Sequence, residues 1–224
     1  MRSFFLLLIF ALHAPSTYGQ KTKTFEGKIS YTVSIQGDGP EVSMARNVMP
    51  SRFIYVLKNG SFLVEQQGGM AAVGGIFIYN QVIDKAFVKN DAYKTVTIIH
   101  QEVETGVVPV LKRTDKTKMI AGYPCVAFSF QFDDGASGKG EIWVAESLKV
   151  KYKPNFNANT PLDNRLLAVL PGFPLAMTFY LDNFQMDLVA DAVHEKRIED
   201  GAFELPGDYK VIDLTDVDSK QIKE

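Results

Sequence analysis

The stretch from Phe25 to Ile35 restricts the fold more than any other part of this chain. Phe25, Gly27, Ile29, Tyr31, Val33 and Ile35 fall on one parity, and Glu26, Lys28, Ser30, Thr32 and Ser34 on the other. Successive strand side chains point to opposite faces, so the pattern predicts an antiparallel strand with one face buried. Gly37-Asp38-Gly39-Pro40 ends it. Phe53 to Leu57 and Ser61 to Gln66 flank Asn59-Gly60, the pair that best suits a type I′ turn, and predict a hairpin. Ile76 to Tyr79, Lys85 to Lys89, Tyr93 to His100 and Val108 to Arg113 are further short β-rich runs between turn residues.

The second half continues in the same style. Val126, Phe128, Phe130 and Phe132 alternate with polar or small residues, and the turn Asp133 to Gly140 leads into Glu141-Ile142-Trp143-Val144, a second hairpin. Thr160 at an N-cap, Pro161 at the first helical position and Asp163 in the first turn predict a short helix through Leu166 to Leu170, stopped by Pro171-Gly172. Leu175, Met177, Phe179 and Leu181 alternate again, and Phe184 to Ile198 reads as a long final strand pair. The sum is a mainly β chain of roughly ten strands with one or two short helices. It predicts a strongly curved antiparallel sheet forming a half-open barrel rather than βαβ units.

Met1-Arg2-Ser3 and the apolar run Phe4 to Leu12 read as a secretory signal peptide, residues 1–19, with cleavage between Gly19 and Gln20. The run is shorter than the roughly 20 residues a bilayer-crossing helix needs. Residues 20–224 then form a single domain that is exported to the periplasm or secreted, with no transmembrane segment. Its 23 basic and 26 acidic residues give nucleic acid nothing to bind. The only cysteine, Cys125, lies far from the cleavage site and cannot anchor a lipid there; it can make no internal disulfide either.

Signals for chemistry are sparse. The domain holds only His100 and His194, and no Ser lies in a nucleophile motif, so the chain predicts no catalytic residues, no metal site and no cofactor. His194 shares parity with Leu188, Ala190 and Ala192, which would turn it inward. Cys125 reads as a buried packing thiol or as an unpaired exposed one. Gly68-Gly69 and Gly74-Gly75 bracket small apolar residues without the Lys-Ser or Lys-Thr of a phosphate loop, leaving a loop or a lid. Asn59-Gly60-Ser61 also matches a glycosylation acceptor. The segment Leu166 to Phe173 is apolar around most of a helical circumference, so it either plugs the mouth of the sheet or walls a cavity.

Lys118 to Cys125, the phrase Glu141-Ile142-Trp143-Val144 and the closing Phe203-Glu204-Leu205-Pro206-Gly207-Asp208-Tyr209-Lys210 together resemble an exported bacterial family, a domain of unknown function laid out like the LolA/LolB carriers and receptors of outer-membrane lipoproteins. The resemblance spans Phe25 to about Val211. It implies a curved sheet wrapped over a helix, with an apolar concavity between them. Phe25, Ile29, Tyr31, Phe53, Tyr55, Val126, Phe128, Phe130, Leu166, Leu170, Phe173, Met177 and Phe179 would line it. The implied protein is not an enzyme; it binds a lipid, an acyl chain or a hydrophobic peptide, with a lipoprotein as the implied partner. The alternatives are an envelope structural or protein-interaction module with a filled core and, third, a hydrolase built around His194.

Overall fold

A computed structural model describes residues 24–70, 74–100, 109–132, 138–151, 162, 164–181 and 183–213. The predicted signal peptide, the turn residues 133–137 and the predicted cap at Thr160, Pro161 and Asp163 lie outside them. In chain order the elements are β1 (Gly27–Gln36), α1 (Pro40–Val48), β2 (Arg52–Lys58), β3 (Ser61–Gln67), β4 (Ile76–Asn80), β5 (Lys85–Asn90), β6 (Thr95–Ile99), β7 (Val110–Ile120), β8 (Tyr123–Gln131), β9 (Lys139–Ala145), α2 (Asn164–Val169), β10 (Phe173–Tyr180), β11 (Gln185–Glu195) and β12 (Lys210–Asp213).

These twelve strands form one curved, unclosed sheet in the order β12-β6-β5-β4-β3-β2-β1-β11-β10-β9-β8-β7. Chain neighbours pair antiparallel through β1 to β6 and again through β7 to β11, so each half is a meander, with the longer connection that carries α2 between β9 and β10. The halves meet where β1 pairs antiparallel with β11. The Asn59-Gly60 turn joins β2 to β3 with φ of 48° and 95°, the left-handed pair that a type I′ turn requires. Gly140 on β9 meets a different demand: a Cβ there would lie 1.9 Å from the Thr178 carbonyl oxygen and 2.7 Å from the Phe130 ring.

Parity divides the core in two. On β2 to β5, Phe53, Tyr55, Leu57, Phe62, Val64, Phe77, Tyr79 and Ala86 join the main cluster with Ile29, Tyr31, Phe128, Phe130, Ile142, Met177 and Leu188. The intervening residues Val56, Leu63, Ile78 and Phe87, with Val96 of β6, belong to a second cluster on the opposite face. Burial on both faces is why Ile76 to Tyr79 shows no polar alternation. The segment after β11 covers that second face with Ile198, Phe203, Leu205 and Tyr209, then delivers β12 to β6 as a parallel pair in an otherwise antiparallel ladder. Lys58 Nζ donates to the Ile198 carbonyl at 2.5 Å, Asn80 Nδ2 to the Phe203 carbonyl at 3.0 Å and Tyr209 Oη to Asp91 at 2.6 Å, so this strap is tied along its length. The Phe203-Glu204-Leu205-Pro206-Gly207-Asp208-Tyr209-Lys210 phrase is therefore the strap and its exit.

Several expectations change. Gly39-Pro40 both ends β1 and opens α1, with Pro40 at the helix start and Glu41 in its first turn. The predicted final strand pair is the single strand β11 followed by the strap. His194 is exposed. The register between β1 and β11 shifts at Ser30/Tyr31, where Ala192 partners Ser30 and Ala190 partners Tyr31. Asp191 is the extra residue, so inward parity passes from Leu188 and Ala190 to Val193, which packs on the core beside Ile29.

Candidate functional site: the apolar interior and the α2 mouth

β1 and β2 supply Ile29, Tyr31, Phe53 and Tyr55, β8 supplies Phe128 and Phe130, and β10 supplies Phe173, Met177 and Phe179. Phe25 precedes β1, tied by its N–H to the Lys149 carbonyl at 2.7 Å; Leu166 sits in α2 and Leu170 just after it. All twelve belong to one cluster: ten are buried, and Leu170 and Phe179 are partly buried against it. Val126 also packs there. Tyr31 and Tyr55 meet edge to face with centroids 5.5 Å apart, as do Phe130 and Phe179 at 5.5 Å, the geometry aromatic quadrupoles favour. Tyr31 is fully enclosed, and its hydroxyl donates to the Pro174 carbonyl at 2.7 Å. The ring crosses from β1 over the small Ala190 of β11 to reach β10.

At the α2 end lies a cavity of about 110 Å³ lined by Lys149, Val150, Leu167, Leu170, Pro171, Gly172 and Phe173. Of the predicted lining, Leu170 and Phe173 border it; the rest are interior packing. Lys149, Val150 and Leu167 fall outside the predicted set, although Leu148-Lys149-Val150 is itself an alternating triplet. Lys149 Nζ donates to the Pro171 carbonyl at 2.7 Å, holding the loop that follows α2. Gly172 permits the close approach of that loop to β9, since a Cβ would lie 2.3 Å from the Ala145 carbonyl oxygen.

The polar groups nearby are committed to structure. Burial raises the Tyr31 hydroxyl pKa well above its ordinary value, with Tyr55 and Cys125 adding to the effect. Cys125 is buried, and burial raises its thiol pKa, which suppresses the reactive thiolate. His100, exposed beyond β6, pairs with Asp213 of β12 at 2.6 Å. Among the described residues no group of His, Cys, Asp and Glu is placed to hold a metal ion, and no helix is long and apolar enough to cross a membrane.

No family model matches this chain, and neither does any curated protein. Solved structures do. Two structures of PNGF-II overlay on 89% of the chain at 16% identity and a TM-score of 0.49; this chain spans about a third of theirs, 34% and 33%. An uncharacterized conserved protein from Thermus thermophilus overlays at 11% identity and a TM-score of 0.46, covering 84% of this chain and 91% of its own. A LolA superfamily protein, NE2245 from Nitrosomonas europaea, overlays at 9% identity and 0.37, covering 81% and 91%. At such identities the likeness is one of fold. What the protein does is read from its own side chains.

Proposed function

We propose that this protein is a non-enzymatic binding protein for an apolar, acyl-type ligand, admitted between α2 and the sheet. The carrying observation is the cavity beside α2, bordered by Leu167, Leu170 and Phe173, which also pack on the apolar interior. A cavity of about 110 Å³ is smaller than the roughly 300 Å³ at which ligand pockets begin, so α2 has to move for a ligand to enter. The helix is suited to that. It has six residues, with neither an acid in its first turn nor a base in its last, and it is held by the packing of Leu166 and Leu167 and by Arg165 over the Phe132 ring rather than by a long hydrogen-bonded run of its own. The apolar run at Phe4 to Leu12 supports export, to the periplasm or beyond the cell.

A filled interior favours a second reading, an interaction module whose core is simply packed: Ile29, Tyr31, Leu166, Leu175 and Met177 have almost no exposed surface. Native mass spectrometry with lipid extraction separates the two, comparing protein from its native source with protein refolded from denaturant. A stoichiometric acyl-containing species that is lost on refolding and restored by added fatty acid supports the carrier reading. No bound species, with no uptake of a fluorescent fatty-acid probe by either the parent or a Leu166→Ala variant, refutes it and leaves the packed module.

A further inference from the structure

At the opposite end of the strands from α2, the ends of β3 and β5 and the start of β4 frame a concavity of about 260 Å³, lined in part by Glu65, Gln66, Lys89, Asn90, Asp91 and Tyr93. We propose that it is a binding site for a neutral polyhydroxylated ring, a sugar unit of a glycan, stacked on Tyr93.

Tyr93 is 70% exposed, unusual for so large a ring. Its turn is built to keep it there: the Asn90 side-chain oxygen accepts from the backbone N–H groups of Ala92 at 3.1 Å and Tyr93 at 3.2 Å. The residues that line the concavity with it include donor and acceptor types that hydroxyl groups need, two carboxylates, two amides and an ammonium. Asp91, Lys89, Glu65 and Asn90 are held in place already. Asp91 accepts from Tyr209 Oη at 2.6 Å and from Lys89 Nζ at 3.0 Å; Glu65 accepts from Gln67 Nε2 at 2.7 Å. Side chains fixed in advance lose less entropy when a ligand arrives.

Charge narrows the ligand class. Two carboxylates against one lysine disfavour an anion; Lys89 compensates Asp91, and Glu65 is bonded to the neutral Gln67 amide, so a cation is the competing ligand that the test below includes. The lining is mixed, since Gly75, Ile76 and Ala92 complete it, and its charged and amide residues match an acyl chain poorly. A pyranose fits both halves of the site, offering an apolar C–H face to the aromatic ring and hydroxyls that donate and accept. The site is separate from the α2 mouth and does not depend on it.

Saturation-transfer NMR on the full chain tests this with cellotetraose, chitotetraose and mannotetraose at millimolar concentration. At least one should bind, with transfer strongest at its ring C–H protons. Tyr93→Ala should weaken that binding about tenfold or more and Tyr93→Phe should restore it, while both variants keep the parent's unfolding midpoint. Three outcomes overturn the proposal: no binding by any of the three sugars, equal binding by Tyr93→Ala, or a site that takes N-acetyl-arginine amide and no sugar.

Discussion

Replacing Tyr31 by Phe probes the join between the two halves of the sheet with one atom. The ring and its edge-to-face contact with Tyr55 stay, and only the hydroxyl that reaches Pro174 is lost. Water cannot take its place, because Tyr31 has no exposed surface. The Pro174 carbonyl thus loses a buried partner, a cost of about 1–3 kcal/mol. In a domain of this size that lowers Tm by about 2–4 °C for each kcal/mol. Urea unfolding reports it through the fluorescence of Trp143, the single tryptophan, nearly buried on β9. A second readout follows from linkage. The folded-state pKa of Tyr31 lies above the unfolded value of about 10, so its contribution is fully present below that pH and lost as pH rises beyond it. Tyr79, raised by burial and by its bond to Asp84, acts in the same direction. The parent should therefore lose stability steadily above about pH 10, and Tyr31→Phe less steeply. A variant within about 0.5 kcal/mol of the parent at neutral pH, or with the parent's alkaline slope, would refute the role given to this hydroxyl.

Asn80→Ala removes the amide that holds the strap at Phe203 and the oxygen that accepts from the N–H of Val82 at 2.9 Å; a loss of about 1–3 kcal/mol and faster hydrogen exchange in β12 should follow, and unchanged exchange there would count against the strap as its anchor. Gly140→Ala drives a Cβ against the Thr178 carbonyl and should cost about 3 kcal/mol or more, read by thermal unfolding; a near-neutral result would show that β9 and β10 separate easily.

Much of this architecture is legible in the chain because one-faced strands write their burial into alternation. β1, the Asn59-Gly60 hairpin, β8 and β10 all carry that mark. The inward set Ile29, Tyr31, Phe128, Phe130 and Met177 follows from it. Where both faces are covered, as at Ile76 to Tyr79, parity is silent, and the second cluster beneath the strap leaves no periodic trace. β12 is illegible because four residues ending in Asp213, largely exposed, carry no pattern; its place comes from the strap and a parallel partner distant in sequence. α1 has Pro40 at its start and Glu41 behind it, yet the same Gly-Pro pair also reads as the end of a strand. His194 shows how one inserted residue defeats parity, since every inward assignment beyond Asp191 inverts. Leu148-Lys149-Val150 alternates, yet a triplet does not say which loop it will face, because a cavity wall made by loops depends on which loops meet.

The β1–β11 seam also sets the order in which this protein can assemble. Gly27 partners Glu195 and Gln36 partners Gln185, so the ladder that unites the sheet waits for nearly the whole chain, whereas the other antiparallel pairs close over short spans. Loop-closure entropy for the seam falls due before its contacts repay it. Two meanders can therefore fold early and locally, each exposing one open strand edge at the future seam, that of β1 in one and of β11 in the other. Until they meet, those edges are templates for any other extended chain nearby, and the half-made protein is most exposed to aggregation at the place where the finished one is most tightly joined.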